Sequence, residues 1–130
     1  MQQVNIYLYE SSKALKPKEA KYYYKLTCKT HHREGWGRAP EATTAHQLVM
    51  KAAIAAFQCM RHPAVITVHT DCSYLATYHK YAQKWKQNDW KKEDGQEVRN
   101  KELWEELLHL EAPHAVSYCF HRRMPDKEEI

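Results

Sequence analysis

Ala64-Val65-Ile66-Thr67-Val68-His69-Thr70-Asp71-Cys72-Ser73-Tyr74-Leu75 changes backbone period partway along its length. Ala64 to Thr70 is rich in β-branched residues and predicts a short, buried strand. From Cys72 the apolar spacing becomes helical, with Leu75, Tyr78, Ala82 and Trp85 on one stripe that fades near Asn88. Asp71 stands at the junction. A strand that runs into a helix in this way predicts a parallel addition to a sheet.

Upstream, Val4, Ile6 and Leu8 alternate with Asn5, Tyr7 and Tyr9, so Val4 to Tyr9 reads as a strand. Ser11 to Ala20 is polar, contains Pro17 and reads as a loop. Lys21 to Lys29 alternates again, with Tyr22, Tyr24, Leu26 and Cys28 facing one way. His32 to Arg38 reads as a third strand weakened by Gly35 and Gly37. Pro40 ends it, and Thr43 or Thr44 caps a helix. Leu48, Ala52, Ala56 and Met60 recur at four-residue spacing on that helix, beside Val49, Ala53 and Phe57, until His62-Pro63. Downstream, Glu93-Asp94-Gly95 marks a turn and Asn100 caps a last helix through Leu110, with Leu103, Trp104, Leu107 and Leu108 inward. Pro113 breaks it, and Ala115 to His121 forms one more strand. The order βββ-α-β-α-α-β predicts an α/β fold: three antiparallel strands, then parallel ones, with helices packed on the sheet. Residues 1–121 form one domain, and 122–130 are a charged, mobile tail.

A chain of 130 residues with 43% apolar and 28% charged residues supports one domain with a real core and excludes a disordered or collagen-like class. No uncharged apolar run nears the ~20 residues that span a bilayer, so no membrane partner is expected. The start, Met1-Gln2-Gln3-Val4-Asn5, has no basic, apolar leader pattern, and a cytoplasmic location is expected. Cys28, Cys59, Cys72 and Cys119 form no CxxC pair and read as reduced and structural. Residues 13–38 hold eight Lys and Arg against two Glu, and residues 80–101 hold seven against four acids. Two basic stretches suit a polyanion, although a solvated helix face explains the second equally well. Lys84, Lys86, Lys91 and Lys92 are candidate phosphate contacts. Trp85, Trp90 and Trp104 either support such a surface or knit helices together. Neighbouring His31 and His32 point to opposite faces of a strand, which argues against a shared metal.

Three pieces of sequence resemble the type 1 ribonuclease H family. Thr70-Asp71-Cys72-Ser73-Tyr74-Leu75 looks like the family's strand-end "TDSxYV/L". Trp85-Lys86-Gln87-Asn88-Asp89-Trp90-Lys91 followed by Val98-Arg99-Asn100-Lys101-Glu102-Leu103-Trp104 resembles its basic handle and next helix. Thr43-Thr44 with Leu48 to Phe57 is similar to its first long helix. The resemblance covers residues 3–120. It implies a ribonuclease H-like mixed sheet, an RNA–DNA hybrid or other duplex as partner, and Mg²⁺ or Mn²⁺ held by four carboxylates as cofactor. It also implies Lys84, Trp85, Lys86, Trp90, Lys91, Lys92, Thr43 and Thr44 as nucleic-acid contacts.

Carried over position by position, the resemblance keeps one carboxylate. Asp71 matches the family's third acid and is the candidate catalytic and metal residue. Tyr9 stands at the first, with Glu10 beside it, and Glu10 reaches the site only if the strand end bulges. Val49 stands at the helix acid, and no acid lies within a helical turn of it. Asp126 is a stray candidate for the fourth, because the family's histidine loop and final helix have no counterpart in the sequence. Ala45 and His46 replace two asparagines, and Ser11 to Lys18, with Lys13, Lys16 and Lys18, replaces a glycine-rich loop. Two metal ions held by hard oxygen ligands need those acids. The expectation is therefore a hybrid-binding domain with impaired or absent nuclease activity, a pseudoenzyme. The alternatives are an active, metal-dependent ribonuclease H and a protein-interaction module or homodimer on the same scaffold.

Overall fold

A computed structural model describes residues 1–13 and 20–130. The elements run β1 (Gln2–Glu10), β2 (Ala20–Thr27), β3 (His32–Ala39), α1 (Ala45–Gln58), β4 (Ala64–Thr70), α2 (Ser73–Gln87), α3 (Lys101–Glu111) and β5 (Ala115–Phe120), with 3₁₀ turns at Ser11–Lys13 and Lys127–Glu129. The expected loop over residues 11–20, with Lys16 and Lys18, lies mostly outside the described residues.

The strands form one sheet in the order β3-β2-β1-β4-β5. β1 and β2, and β2 and β3, are antiparallel, whereas β1–β4 and β4–β5 are parallel. This is the predicted mixed sheet. Val4, Ile6 and Leu8 of β1 and Ile66 and Val68 of β4 face α1 and α3, where they meet Val49, Ala53, Phe57 and Trp104 in one core. α1 starts at a capping box. Thr44 Oγ1 accepts from the Gln47 amide at 3.2 Å, and Gln47 Oε1 accepts from the Thr44 amide at 3.0 Å.

Two expectations change. β4 is buried on one face only, because its residues alternate and Val65 is exposed. The helices lie on one side of the sheet, and Thr67 and His69 line the other. Gly35 and Gly37 do not disrupt β3. They pair across from Tyr24 and Tyr22, whose rings lie where any added Cβ would sit. Those rings cover the bare backbone.

The second face carries the C-terminal residues. Tyr9 Oη donates to the Pro125 carbonyl at 2.6 Å, and buried Lys25 donates to the carbonyls of Lys127 and Ile130 at 2.8 and 3.1 Å. The Lys127 ammonium sits 3.9 Å over the Tyr23 ring, a cation–π contact.

Candidate active site and nucleic-acid interface

In a parallel pair both strands finish at the same edge, so β1 and β4 deliver Tyr9, Glu10 and Asp71 together. Pairing of β1 with β2 continues unbroken to Glu10↔Tyr22, so no bulge turns Glu10 to the side of Tyr9. Both Glu10 carboxylate oxygens are engaged by Ser12, from its amide and its hydroxyl, each at 2.6 Å. Cys72 takes the N-cap position of α2, and its own side chain makes no capping hydrogen bond. Val49 faces the core and is 2% exposed.

The electrostatics locate the acids. Burial raises the Tyr9 phenol to about 12, and the neighbouring Tyr7, Asp126 and Asp71 add to the effect. Burial also pushes the Cys72 thiol up, with smaller contributions in the same direction from Asp71 and Glu10. Asp126 thus comes to the end of β1 that Asp71 shares. Its carboxylate accepts from the Glu128 amide at 3.3 Å. Among the described residues, the ligating atoms of Glu10, Asp71 and Asp126 do not gather within 4.8 Å of one another. The described strand-end residues therefore do not present the carboxylate set that a two-ion centre needs.

The second predicted region forms a groove along α2. His46 stacks on Tyr74 with ring centroids 4.3 Å apart and planes 3° apart. Tyr74 meets Tyr78, and Tyr78 meets Tyr81 and Trp85, at 5.3, 6.2 and 5.7 Å. Tyr78 is 40% exposed and Tyr81 50% exposed, so Tyr78 does not turn inward with Leu75 and Ala82 as the stripe predicted. The sequence signal was available: Tyr74, Tyr78, Tyr81 and Trp85 are four, three and four residues apart, which is one face of a helix. Lys84, Lys91 and Lys92 edge the groove, together with Glu93 and Asp94. Lys84 approaches Glu93 only loosely, at 3.9 Å between exposed groups. Lys86 is exposed nearby but does not line the groove.

Trp90 and Trp104 are buried and pack rather than present. The Trp90 amide donates to the Trp85 carbonyl at 2.7 Å and its carbonyl accepts from Val98 at 2.9 Å, which pins the base of the 88–98 loop. Asn100 does not cap α3 with its side chain. It has φ +61°, donates to Tyr74 Oη at 3.3 Å and accepts from Gln47 Nε2 at 3.1 Å. It therefore ties α3 to α1 and α2. Thr44 is occupied as the α1 cap, and the Thr43 amide donates to the Pro40 carbonyl at 2.9 Å.

A mixed five-stranded sheet in this order, with an acid at the end of its central parallel strand, defines a ribonuclease H-type α/β domain. The RNase H family model matches residues 1–121, and the chain belongs to that family. It is 33% identical over 90 residues to a ribonuclease H of Caldanaerobacter subterraneus subsp. tengcongensis, covering 68% of this chain and 59% of that relative. The match thus spans less than two thirds of the relative's length. Among solved structures, LC9-RNase H1, a type 1 RNase H with the type 2 active-site motif, superposes with a TM-score of 0.76 at 21% identity, over 93% of this chain and 63% of that one. A foamy viral protease-reverse transcriptase in complex with RNA/DNA hybrid superposes with a TM-score of 0.53 at 12% identity, over 92% of this chain and 17% of that one. These two likenesses concern the fold.

Proposed function

We propose that this domain binds RNA–DNA hybrid or a related duplex and cleaves it poorly or not at all. The observation that carries the binding half is the groove along α2, where exposed Tyr78, Tyr81 and half-buried Trp85 alternate with lysines. Stacking surfaces between cations suit a nucleic-acid strand, and each stacked base contributes about 1–3 kcal/mol. Family membership supports the same partner, and a viral protein that shares the fold is seen in complex with RNA/DNA hybrid. The catalytic half rests on Tyr9 and Val49 standing where the family places acids. Mg²⁺ or Mn²⁺ is the ion that any residual activity would use, with Asp71 as its ligand.

A fluorescence-anisotropy titration of a labelled hybrid tests the binding half. Affinity falls steeply with salt, and Lys84→Ala, Lys86→Ala, Lys91→Ala and Lys92→Ala combined lower it at least tenfold while the salt slope shallows. Unchanged affinity in the quadruple variant would contradict the assignment of the groove.

A further inference from the structure

The sheet face without helices carries a second cluster, one that the ribonuclease reading does not use. β4 and β5 pair in parallel with His69 directly across from Cys119. Two residues further on, His121 returns to the same side of β5's line, and its amide extends the ladder by donating to the Thr70 carbonyl at 2.8 Å. The register alone therefore brings two imidazoles and a thiol to one spot. Their ligating atoms all lie within 4.8 Å of one another, and they are the sole such group of three among the described residues.

We propose that His69, Cys119 and His121 form a zinc site. Two imidazoles and a thiolate are the ligand types a borderline-soft divalent ion takes, and hard ions such as Mg²⁺ avoid them. The ring of His69 is held in advance. It stacks on Tyr7 with centroids 4.4 Å apart and planes 9° apart, and its Nε2–H donates to Asn5 Oδ1 at 2.9 Å. That bond leaves the Nδ1 lone pair of His69 directed at His121. A ligating histidine ordinarily donates its other ring N–H to such an oxygen. Without metal, His121 Nε2–H donates to His69 Nδ1 at 2.8 Å. Tetrahedral zinc at about 2.0–2.1 Å from each nitrogen separates them by about 3.3 Å. The two rings need to part by roughly half an ångström.

The proton balance is simple. His121 moves its ring proton from Nε2 to Nδ1 and ligates as a neutral imidazole. Cys119 loses its thiol proton to solvent, so one proton is released per ion bound. Water takes the fourth position. Cys119 is exposed, which gives the ion a route in.

The test uses the whole chain and zinc alone, in competition with a chromophoric chelator. One Zn²⁺ per chain binds, and it raises the melting temperature. Cys119→Ser and His121→Ala each weaken binding at least tenfold while the circular dichroism stays that of the parent. Asn5→Ala weakens it about tenfold through the lost orientation of His69. Asp71→Asn leaves zinc affinity unchanged, which separates this cluster from the acids at the strand ends. Replacing zinc by Co²⁺ gives a thiolate-to-cobalt absorption band that disappears in Cys119→Ser. No stoichiometric binding in the parent, or binding that Cys119→Ser and His121→Ala leave intact, would overturn the proposal.

Discussion

At the scale of single residues, the proposed loss of cleavage turns on Val49. It is 2% exposed, within the core that Leu8, Phe57 and Trp104 share. On the proposed reading an acid introduced there does not create a metal site, because a carboxylate in this position is buried without a partner. Val49→Glu lowers stability by about 3 kcal/mol or more, read from the urea midpoint, and confers no Mg²⁺-dependent cleavage. A stable Val49→Glu protein that gains cleavage would show that this side chain reaches the strand ends. The identity of Val49 was legible in the sequence because the cap at Thr44 fixes the register of α1. The surroundings of Asp126 were not legible. Its approach to Tyr9 depends on how Pro125 and Lys127 settle on β1 and β2, which are more than a hundred positions earlier in the chain. Local periodicity carries no trace of such a contact.

At the scale of elements, alternation and helical spacing mark the β-strands and α-helices of the described residues, but not always the side on which each presents its residues. Tyr78 shares a stripe with Leu75 and Ala82, yet only the latter two are buried. A tyrosine satisfies an apolar spacing rule and still leaves its ring in solvent beside other rings. Asn100 is a similar case. Its residue type suits a cap, but the left-handed backbone sends its amide to Tyr74 and Gln47. Asn100→Ala loses both hydrogen bonds and strains a residue at φ +61°, and it costs about 2 kcal/mol. Asn100→Gly keeps that backbone at ease and costs less than Asn100→Ala. Equal losses in chemical denaturation would mean that the backbone conformation plays no part in the joint.

At the scale of the whole molecule, one sheet carries three separable features. The helix-covered face supplies the core, β1 and β4 end at a common edge with Tyr9, Glu10 and Asp71, and the other face holds the His69–Cys119–His121 cluster and the C-terminal residues. The fold could be read from the sequence because the element order allows few sheets with right-handed parallel connections. The cluster could not, since it depends on the register of β5 against β4, which no short motif encodes. The proposal made for the shared edge is that Asp71, beside a phenol and without convergent acids, does not support two-metal hydrolysis. The most direct test is incubation of a labelled RNA–DNA hybrid with the protein at saturating Mg²⁺, and separately Mn²⁺, beside an Asp71→Asn control. The expected result is a retained hybrid complex with the RNA strand intact, and the same for the control. Metal-dependent scission of the RNA strand that vanishes in Asp71→Asn would contradict it.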